Sequence, residues 1–285
     1  MTCSLILGFF DGVHTAHRAV IQSALDYADK QFKTVLITFK DSPSLYFTGK
    51  LEYIMPRKTS VQKIKELGVD EVVELEFSEI AKIKAEDYLK QICEKYKPAS
   101  ISTGFNHTFG FNKGGNSDFL YKNQNEYNYK YLCIEPKILD NEVVSSTLIK
   151  KCLKIGEIEK ANKLLETNFF IEGKVIKGAQ IGRQIGFPTA NIEYPSNIVK
   201  IPFGVYYARY EGMPSILNWG MRPTVHNIKE PIAETHILAF SGDLYGKDIK
   251  IDIIKKIRDE KHFENLEELK LQIEKDIKTC LELSL

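Results

Sequence analysis

The sequence has few cysteines, and they are not arranged as secreted domains or zinc sites arrange theirs. The five cysteines, Cys3, Cys93, Cys133, Cys152 and Cys280, are scattered, odd in number and form no CxxC pair. This spacing argues against a disulfide framework and against a zinc knuckle. It favours a protein of the reducing cytoplasm.

Long apolar runs are also missing. No run approaches the roughly 18–20 residues that a membrane-spanning helix needs, so we expect no membrane partner. The start, MTCSLILGFF, is apolar but has no basic residues before it, and acidic Asp11 follows directly. This pattern predicts a first buried strand rather than a signal peptide.

An excess of charge of either sign is absent as well. Lys and Arg number 39 and Asp and Glu 38, which gives a formal charge of +1. Coating a nucleic acid requires a basic excess or stripe, so no nucleic-acid partner is expected. The content of 43% apolar and 27% charged residues is ordinary for a protein with a sizeable core. A length of 285 residues favours two domains, and no pattern indicates the oligomeric state.

The first half alternates between two kinds of hydrophobic pattern. Short apolar or β-branched runs predict strands, and longer segments with apolar residues three or four apart predict helices. The predicted strands are 4–10, 34–39, 69–75 and 99–103, and the predicted helices are 15–30, 59–67 and 85–96. Strands that alternate with helices in this way indicate a parallel sheet covered by helices.

The pattern changes after a helical stretch predicted at 145–165. Short strands separated by Gly and Pro turns follow, which is typical of a small antiparallel barrel. The predicted strands are 169–176, 204–209, 215–218, 234–240 and 249–254, and a helix at 266–283 ends the chain. We place the boundary near 166–168, with domains at 1–166 and 167–285.

A first candidate site lies where the first strand meets the first helix. Residues 8–17 read GFFDGVHTAH, and His14 and His17 share one face of the first helical turn. Ligands of parallel α/β sheets bind at this end, and a helix start suits phosphate. The two imidazoles could donate hydrogen bonds to phosphate, or simply solvate the helix start. A metal pair is a third reading, although only Asp11 offers a further ligand.

A second candidate site lies in the barrel half. Residues 182–192 read GRQIGFPTANI, in which glycines allow the backbone to approach a ligand. Thr189 and Asn191 alternate along an extended chain, so both side chains point to one side. A hydroxyl and an amide oxygen are hard ligands that suit Mg²⁺ carrying ATP phosphates. The alternative is a Gly/Pro turn followed by an edge strand.

The amino-terminal half resembles the nucleotidylyltransferase superfamily, in the form found in bacterial FAD synthetases. The GFFDGVHTAH stretch resembles its HxGH signature, GFNHTFG at 104–110 its glycine-rich segment, and VSSTLIK at 144–150 its ISSTxIR segment. Two positions depart from the pattern. Ala16 stands where the family has glycine, and its methyl could crowd the ligand. Lys150 replaces an arginine and loses two-pronged phosphate binding while keeping the charge.

The carboxyl-terminal half resembles riboflavin kinase over nearly its whole length. The stretch GRQIGFPTAN is similar to that family's PTAN signature and the glycine-rich loop before it. Further matching segments follow in the family's order: 204–206, NWGMRPTV at 218–225, AETHILAF with GDLYGK at 233–247, and IRDEKHF at 257–263. Asp is usual near position 239, where this chain has Ala239.

The resemblance implies roles for residues of the amino-terminal half. His14 and His17 would act on the ATP phosphates as catalytic residues, and Asn106 would contact flavin or nucleotide. His107 could do the same or be a packed loop residue. The remaining residues assigned to ATP and phosphate binding are Gly8, Phe10, Asp11, Gly12, Ser146, Thr147 and Lys150.

In the carboxyl-terminal half, the resemblance makes Glu234 the catalytic base. Gly182, Thr189 and Asn191 would bind ATP, the last two as the Mg²⁺ ligands. His236, two residues along the strand, could tune Glu234 or be a packed strand histidine. Arg258 would lie near the flavin, or form a surface ion pair with Asp259 or Glu260. Asp276 matches a common family Asp, but a solvated helix face explains it equally.

The resemblance therefore implies a Rossmann-like nucleotidylyltransferase domain followed by a small antiparallel β-barrel riboflavin kinase domain with a carboxyl-terminal helix. The implied activities are phosphorylation of riboflavin to FMN and adenylylation of FMN to FAD, with ATP as co-substrate and Mg²⁺ as cofactor. Two alternatives remain: a riboflavin kinase whose adenylyltransferase domain is weak or silent, and a flavin-sensing binding protein without turnover.

Overall fold

The computed structural model describes residues 2–178, 182, 185–221 and 231–284. Parts of two motifs, at 183–184 and 222–225, lie outside the described residues. The chain folds into two compact units, Met1–Leu148 and Ile149–Leu285.

The first unit is built on a five-stranded parallel sheet. In chain order its strands are β1 (Cys3–Leu7), β2 (Lys33–Phe39), β3 (Glu71–Leu75), β4 (Pro98–Gly104) and β7 (Lys130–Ile134). Across the sheet they lie in the order β3-β2-β1-β4-β7, every pair parallel. The order reverses direction at β1. The neighbouring carboxyl ends of β1 and β4 therefore form the crevice in which open α/β sheets bind ligands.

Helices cover both faces of this sheet, and two small hairpins interrupt the chain. The helices are α1 (Thr15–Ala28), α2 (Pro43–Thr48), α3 (Arg57–Glu66), α4 (Phe77–Ile80), α5 (Ala85–Tyr96) and α6 (Ser117–Asn123). The short hairpin strands are β5 (Thr108–Phe109), β6 (Gly115–Asn116), β8 (Ile138–Leu139) and β9 (Glu142–Val143). Two separate clusters of buried apolar side chains pack around β1, one containing Leu5 and Leu7 and the other Ile6.

The stretch predicted to be helical at 145–165 is helical in the structure, where it is divided into two helices. They are α7 (Ser146–Ile155) and α8 (Ile158–Leu165). Gly156 lies between them with a φ of +84°, a left-handed conformation that glycine adopts without the steric cost of a Cβ and that commonly ends a helix.

The second unit is a closed antiparallel barrel. Its strands are β10 (Phe169–Ile176), β11 (Ala190–Ile192), β12 (Gly204–Tyr210), β13 (Met213–Met221), β14 (Pro231–Ile237) and β15 (Asp248–Arg258). Around the barrel they follow the order β10-β11-β14-β13-β12-β15, and β15 closes it by pairing with β10. The terminal helix α9 (Leu266–Glu282) covers one face of the barrel, where Cys280 and Ile277 pack with Val205 and Ile216. The predicted fold class is confirmed.

Candidate active sites

The first cavity, called here the amino-terminal cleft, opens at the carboxyl ends of β1 and β4. Its volume is about 360 Å³. Of the residues predicted from the sequence, it is lined by Gly8, Phe10, His14, His17, Asn106, Ser146 and Thr147. Ala16 and His107 also line it, whereas Asp11, Gly12 and Lys150 do not.

Asp11 and Gly12 instead shape the turn that brings α1 to the cleft. Gly12 has a φ of +86°, and a Cβ on it would lie 2.9 Å from Cδ1 of Ile54. Only glycine therefore fits there without strain. The Asp11 carboxylate accepts the Ile54 N–H at 2.8 Å, and its backbone carbonyl accepts the Ser146 hydroxyl at 3.0 Å. The hydrogen bond from the Ser146 hydroxyl therefore holds the start of α7 against this turn.

The two histidines form a stacked pair at the start of α1. Their ring centroids are 3.6 Å apart with an angle of 19° between the planes. His14 caps the helix: its Nδ1 accepts the backbone N–H of His17 at 3.4 Å. Since Nδ1 accepts, neutral His14 carries its proton on Nε2. Nδ1 of His17 is buried and has no hydrogen-bond partner among the described residues.

Burial determines the charge of this pair. It lowers the pKa of His14 from 6.5 to about 4. It also lowers the pKa of His17 well below 6.5, and the charge on His14 adds to that effect. Desolvation disfavours the charged imidazolium. Both rings are therefore neutral at pH 7, and each can act as a hydrogen-bond donor to an anion.

The position of His107 agrees with either role that the sequence left open, a ligand contact or a packed loop residue. It lines the cleft, and its ring stacks on Phe109 with the centroids 5.8 Å apart. Its Nε2 is buried without a hydrogen-bond partner among the described residues, and burial lowers its pKa to about 4. The ring is thus packed on one side and presents a neutral polar edge.

A second cavity, called here the barrel cavity, lies between the barrel face and α9. Its volume is about 320 Å³. Strands β13 and β14 contribute Ile216, Asn218, Glu234 and His236, and α9 contributes Leu269, Ile273 and Asp276. Gly182, Thr189 and Arg258 complete the predicted residues that line it.

Glu234 lies between two asparagines in the strand register. It is opposite Asn191 on β11 and opposite Asn218 on β13. His236 lies two residues further along β14 and lines the same cavity, as the alternation of a strand predicts. Nδ1 of His236 donates to the carbonyl oxygen of Pro188 at 2.8 Å. This bond holds the residue directly before Thr189.

Thr189 lines two cavities at once. Besides the barrel cavity it borders a third one, called here the loop cavity, of about 540 Å³. The loop cavity is formed by Val175, Pro188, Ala190, Thr235 and the segment 240–245, together with Ile237. Two ligands that occupy these cavities would meet at Thr189.

Asn191 is a buried polar residue of this region. It is 4% exposed, and its Oδ1 has no hydrogen-bond partner among the described residues. A Cβ on Gly178 would collide with the Asn191 amide, so glycine makes room for it. In the described part of the chain, no cluster of three His, Cys, Asp or Glu side chains is placed to hold a metal. A metal site here would therefore need neutral oxygens among its ligands.

Arg258 forms an ion pair that the sequence did not indicate. Its Nε and Nη2 donate to the Asp276 carboxylate at 2.8–3.1 Å. The surface ion pair with Asp259 or Glu260 was therefore the wrong alternative, since the Asp259 carboxylate pairs with Lys256. A solvated helix face for Asp276 is wrong too, because this residue is 3% exposed.

Both units are similar to families of known proteins. A riboflavin kinase family model matches residues 165–284, and an FAD synthetase model matches residues 1–148. A bifunctional riboflavin kinase/FMN adenylyltransferase of Escherichia coli K12 is 32% identical over 98% of this chain and 92% of its own length. The chain belongs to the bifunctional riboflavin kinase/FMN adenylyltransferase family. Another member, from Bacillus subtilis 168, is 31% identical over 95% of this chain and 89% of its own.

One solved structure shares the whole architecture. It comes from Streptococcus pneumoniae, is called a macrolide-efflux protein, and matches with a TM-score of 0.89 at 26% identity, over 98% of this chain and 94% of its own. That name describes a different activity from the one in the names of the family members above. Within the ranges that the structure describes, no helix has the length and apolar character to cross a membrane.

Proposed function

We propose that this chain makes FAD in two steps, phosphorylating riboflavin to FMN in the barrel unit and adenylylating FMN in the amino-terminal unit. The observation that carries the proposal is the position of Thr189, which borders two cavities with Glu234 on a neighbouring strand. Such a pair of cavities suits transfer of a group from one bound substrate to another. The names of the curated relatives support the same reading.

In the kinase step, riboflavin occupies the barrel cavity and ATP the loop cavity. Gly182, which the resemblance assigned to ATP, lines the riboflavin side in this arrangement. Glu234 accepts the proton of the riboflavin 5′-hydroxyl as its oxygen attacks the γ-phosphorus of ATP, and ADP leaves. The apolar side chains of Ile216, Leu269 and Ile273 exclude water from the flavin end. Glu234 lies on β14, a strand paired on both sides, so the carboxylate is held on a rigid element.

The residues near Thr189 fit Mg²⁺. A buried amide oxygen without a described partner, at Asn191, is one hard oxygen ligand, and the Thr189 hydroxyl two residues earlier is a second. Mg²⁺ bound there would neutralise charge on the ATP phosphates. Thr189→Ala and Asn191→Ala should each raise the Mg²⁺ concentration that half-saturates FMN formation. A defect confined to riboflavin affinity would place these residues at the flavin end instead.

In the adenylyl step, an FMN phosphate oxygen attacks the α-phosphorus of ATP and pyrophosphate leaves. No covalent enzyme intermediate is required, so catalysis consists of positioning and charge stabilisation. The N–H groups of the neutral His14 and His17 rings donate to the phosphate oxygens, aided by the positive end of α1. Thr147 is exposed at the cleft and offers a further hydroxyl.

The thiols fit the cytoplasm as the compartment. All five cysteines are in the thiol form, and four of them are buried. Since thiols persist where glutathione keeps them reduced, we place the enzyme in a reducing cytoplasm.

One assay tests the whole proposal. The purified chain is incubated with riboflavin, ATP and Mg²⁺, and the flavins are separated by chromatography. FMN followed by FAD is the expected result. FMN alone would show that the adenylyl unit is silent, and binding of riboflavin without either product would show a flavin-binding protein without turnover.

A further inference from the structure

The Arg258 guanidinium is held on three sides in the wall of the barrel cavity. Nε and Nη2 donate to the Asp276 carboxylate, and Nη1 donates to the backbone carbonyl of Asp259 at 3.0 Å. Its central carbon lies 5.9 Å from the ring centroid of Phe263. A guanidinium has five N–H bonds, so these contacts within the described residues leave one on each Nη for a ligand.

Asp276 depends on this contact for its own burial. The residue is 3% exposed, and Gln272, one turn earlier on α9, donates to Oδ1 at 2.9 Å. A buried carboxylate is tolerated only when it is paired and hydrogen-bonded. Arg258 and Gln272 together meet that requirement. The ion pair therefore joins the end of β15 to the middle of α9.

The joined elements are those that close the barrel cavity. Arg258 lines it from the end of β15, Lys261 and Phe263 from the segment after that strand, and Leu269 and Ile273 from α9. Arg258 and Asp276 do not border the loop cavity. The ion pair therefore lies at the end of the barrel cavity that is remote from the loop cavity.

We infer that Asp276 is a positioning residue for riboflavin recognition. It fixes the Arg258 guanidinium so that its remaining N–H groups face the flavin, whose carbonyl oxygens and hydroxyls accept hydrogen bonds. Through the same contact it holds the segment 258–263 and α9 at the spacing that a flat ring system requires. This inference rests on the proposed kinase function, because it assigns riboflavin to the barrel cavity.

The expected signature is a change that affects one substrate. Asp276→Asn keeps the shape of the side chain but removes the charge that orients Arg258. It should raise the KM for riboflavin roughly 10- to 100-fold, as expected for loss of a charge-assisted hydrogen bond. The KM for ATP should stay at the parental value, because the nucleotide end is untouched.

A double-mutant cycle separates positioning from simple structural support. The variants are Asp276→Asn, Arg258→Gln and the double variant, in which no charge is left buried. The control is Asp259→Asn, which removes the exposed ion pair with Lys256 on the same segment but keeps the Asp259 carbonyl. Riboflavin KM, ATP KM, kcat and the riboflavin dissociation constant from fluorescence quenching are measured for each.

We expect both single variants to bind riboflavin more weakly than the parent. The double variant should bind it no more weakly than the single variant with the lower affinity. The control should match the parent. An unchanged riboflavin KM in Asp276→Asn, additive losses in the double variant, or equal losses for riboflavin and ATP would each overturn the inference. If the parent forms no FMN, the proposed kinase function is wrong, but this result alone does not contradict the role of Asp276. The riboflavin dissociation constants then test that role.

Discussion

His14 and His17 stack ring on ring at the start of α1, with the backbone N–H of the second donating to Nδ1 of the first. This arrangement explains how two imidazoles can lie together in the proposed phosphate site without repelling each other. Burial keeps both uncharged at neutral pH. The pair therefore supplies N–H donors rather than positive charge, and the positive end of α1 supplies the field.

Acid should destabilise the amino-terminal unit through this pair. The unfolded chain binds a proton at His14 near pH 6.5, whereas the folded chain does so only at about pH 4. Between these values the unfolded state holds more protons, so the free energy of unfolding falls as the pH is lowered from 6.5 to 4. The slope for one histidine is up to about 1.4 kcal/mol per pH unit. His14→Gln should make the free energy of unfolding depend less steeply on pH.

Denaturant unfolding followed by circular dichroism at several pH values measures this slope. Trp219 is the single tryptophan and lies in the barrel unit, so its fluorescence gives an internal reference for the other unit. Ala16→Gly alters the same helix start without removing an imidazole and should keep the parental slope. An identical slope in parent and His14→Gln would contradict the explanation.

Glu234→Gln should lower the rate of FMN formation roughly 10²–10⁴-fold, because the amide has the shape of the carboxylate but cannot accept the proton. Conversion of added FMN to FAD should be unchanged. Glu193→Gln is a matched control, since Glu193 is exposed just after β11. Riboflavin phosphorylation at the parental rate in Glu234→Gln would remove this residue from the mechanism.

His236 offers a test that distinguishes its two ring nitrogens. Asn places an amide N–H near the position of Nδ1, and Gln places one near Nε2. Since Nδ1 donates to Pro188, His236→Asn should keep the parental KM for ATP, while His236→Gln should raise it by releasing the residue before Thr189. Steady-state kinetics with varied ATP measure the difference. A defect in His236→Asn but not in His236→Gln would argue for a role of Nε2 instead, and equal defects in both would contradict the role of the Nδ1 bond.

Ala16 lines the amino-terminal cleft, where the family pattern has glycine. Ala16→Gly should speed FAD formation by making room for the nucleotide, at a cost of about 1 kcal/mol in helix preference. The measurement is the rate of FAD release from FMN and ATP, with the melting temperature as a check on stability. A slower rate in the variant would show that the methyl group fits the bound substrates.

Much of the fold could be predicted from the sequence because its local patterns agree with its tertiary structure. The helix at 85–96 and the strand at 169–176 have the predicted bounds. Strand β7 was not predicted. It lies at the edge of the sheet, and its sequence, KYLCI, begins with an exposed Lys130 and includes an exposed Cys133. These exposed positions interrupt the apolar run by which the other strands were predicted.

The candidate sites could be predicted where short motifs carry the chemistry, as at His14 and Glu234. The ion pair of Arg258 with Asp276 could not, since its partners are 18 residues apart and no local spacing relates them. At Ala239, the structure explains a family preference that the sequence alone did not. The family's preference for Asp there had no evident reason in the sequence, but the residue has a φ of +56°, a conformation in which Asp and Asn are enriched.

The position of Thr189 between two cavities has an evolutionary consequence. If riboflavin and ATP occupy these cavities as proposed, the side chain at 189 cannot change to suit a new nucleotide without also altering the surface met by the flavin. Selection for a different phosphate donor would therefore act on the far wall of the loop cavity, at residues such as Phe240 and Tyr245. In this proposal those positions would meet the nucleotide alone, while position 189 would be constrained by two substrates at once.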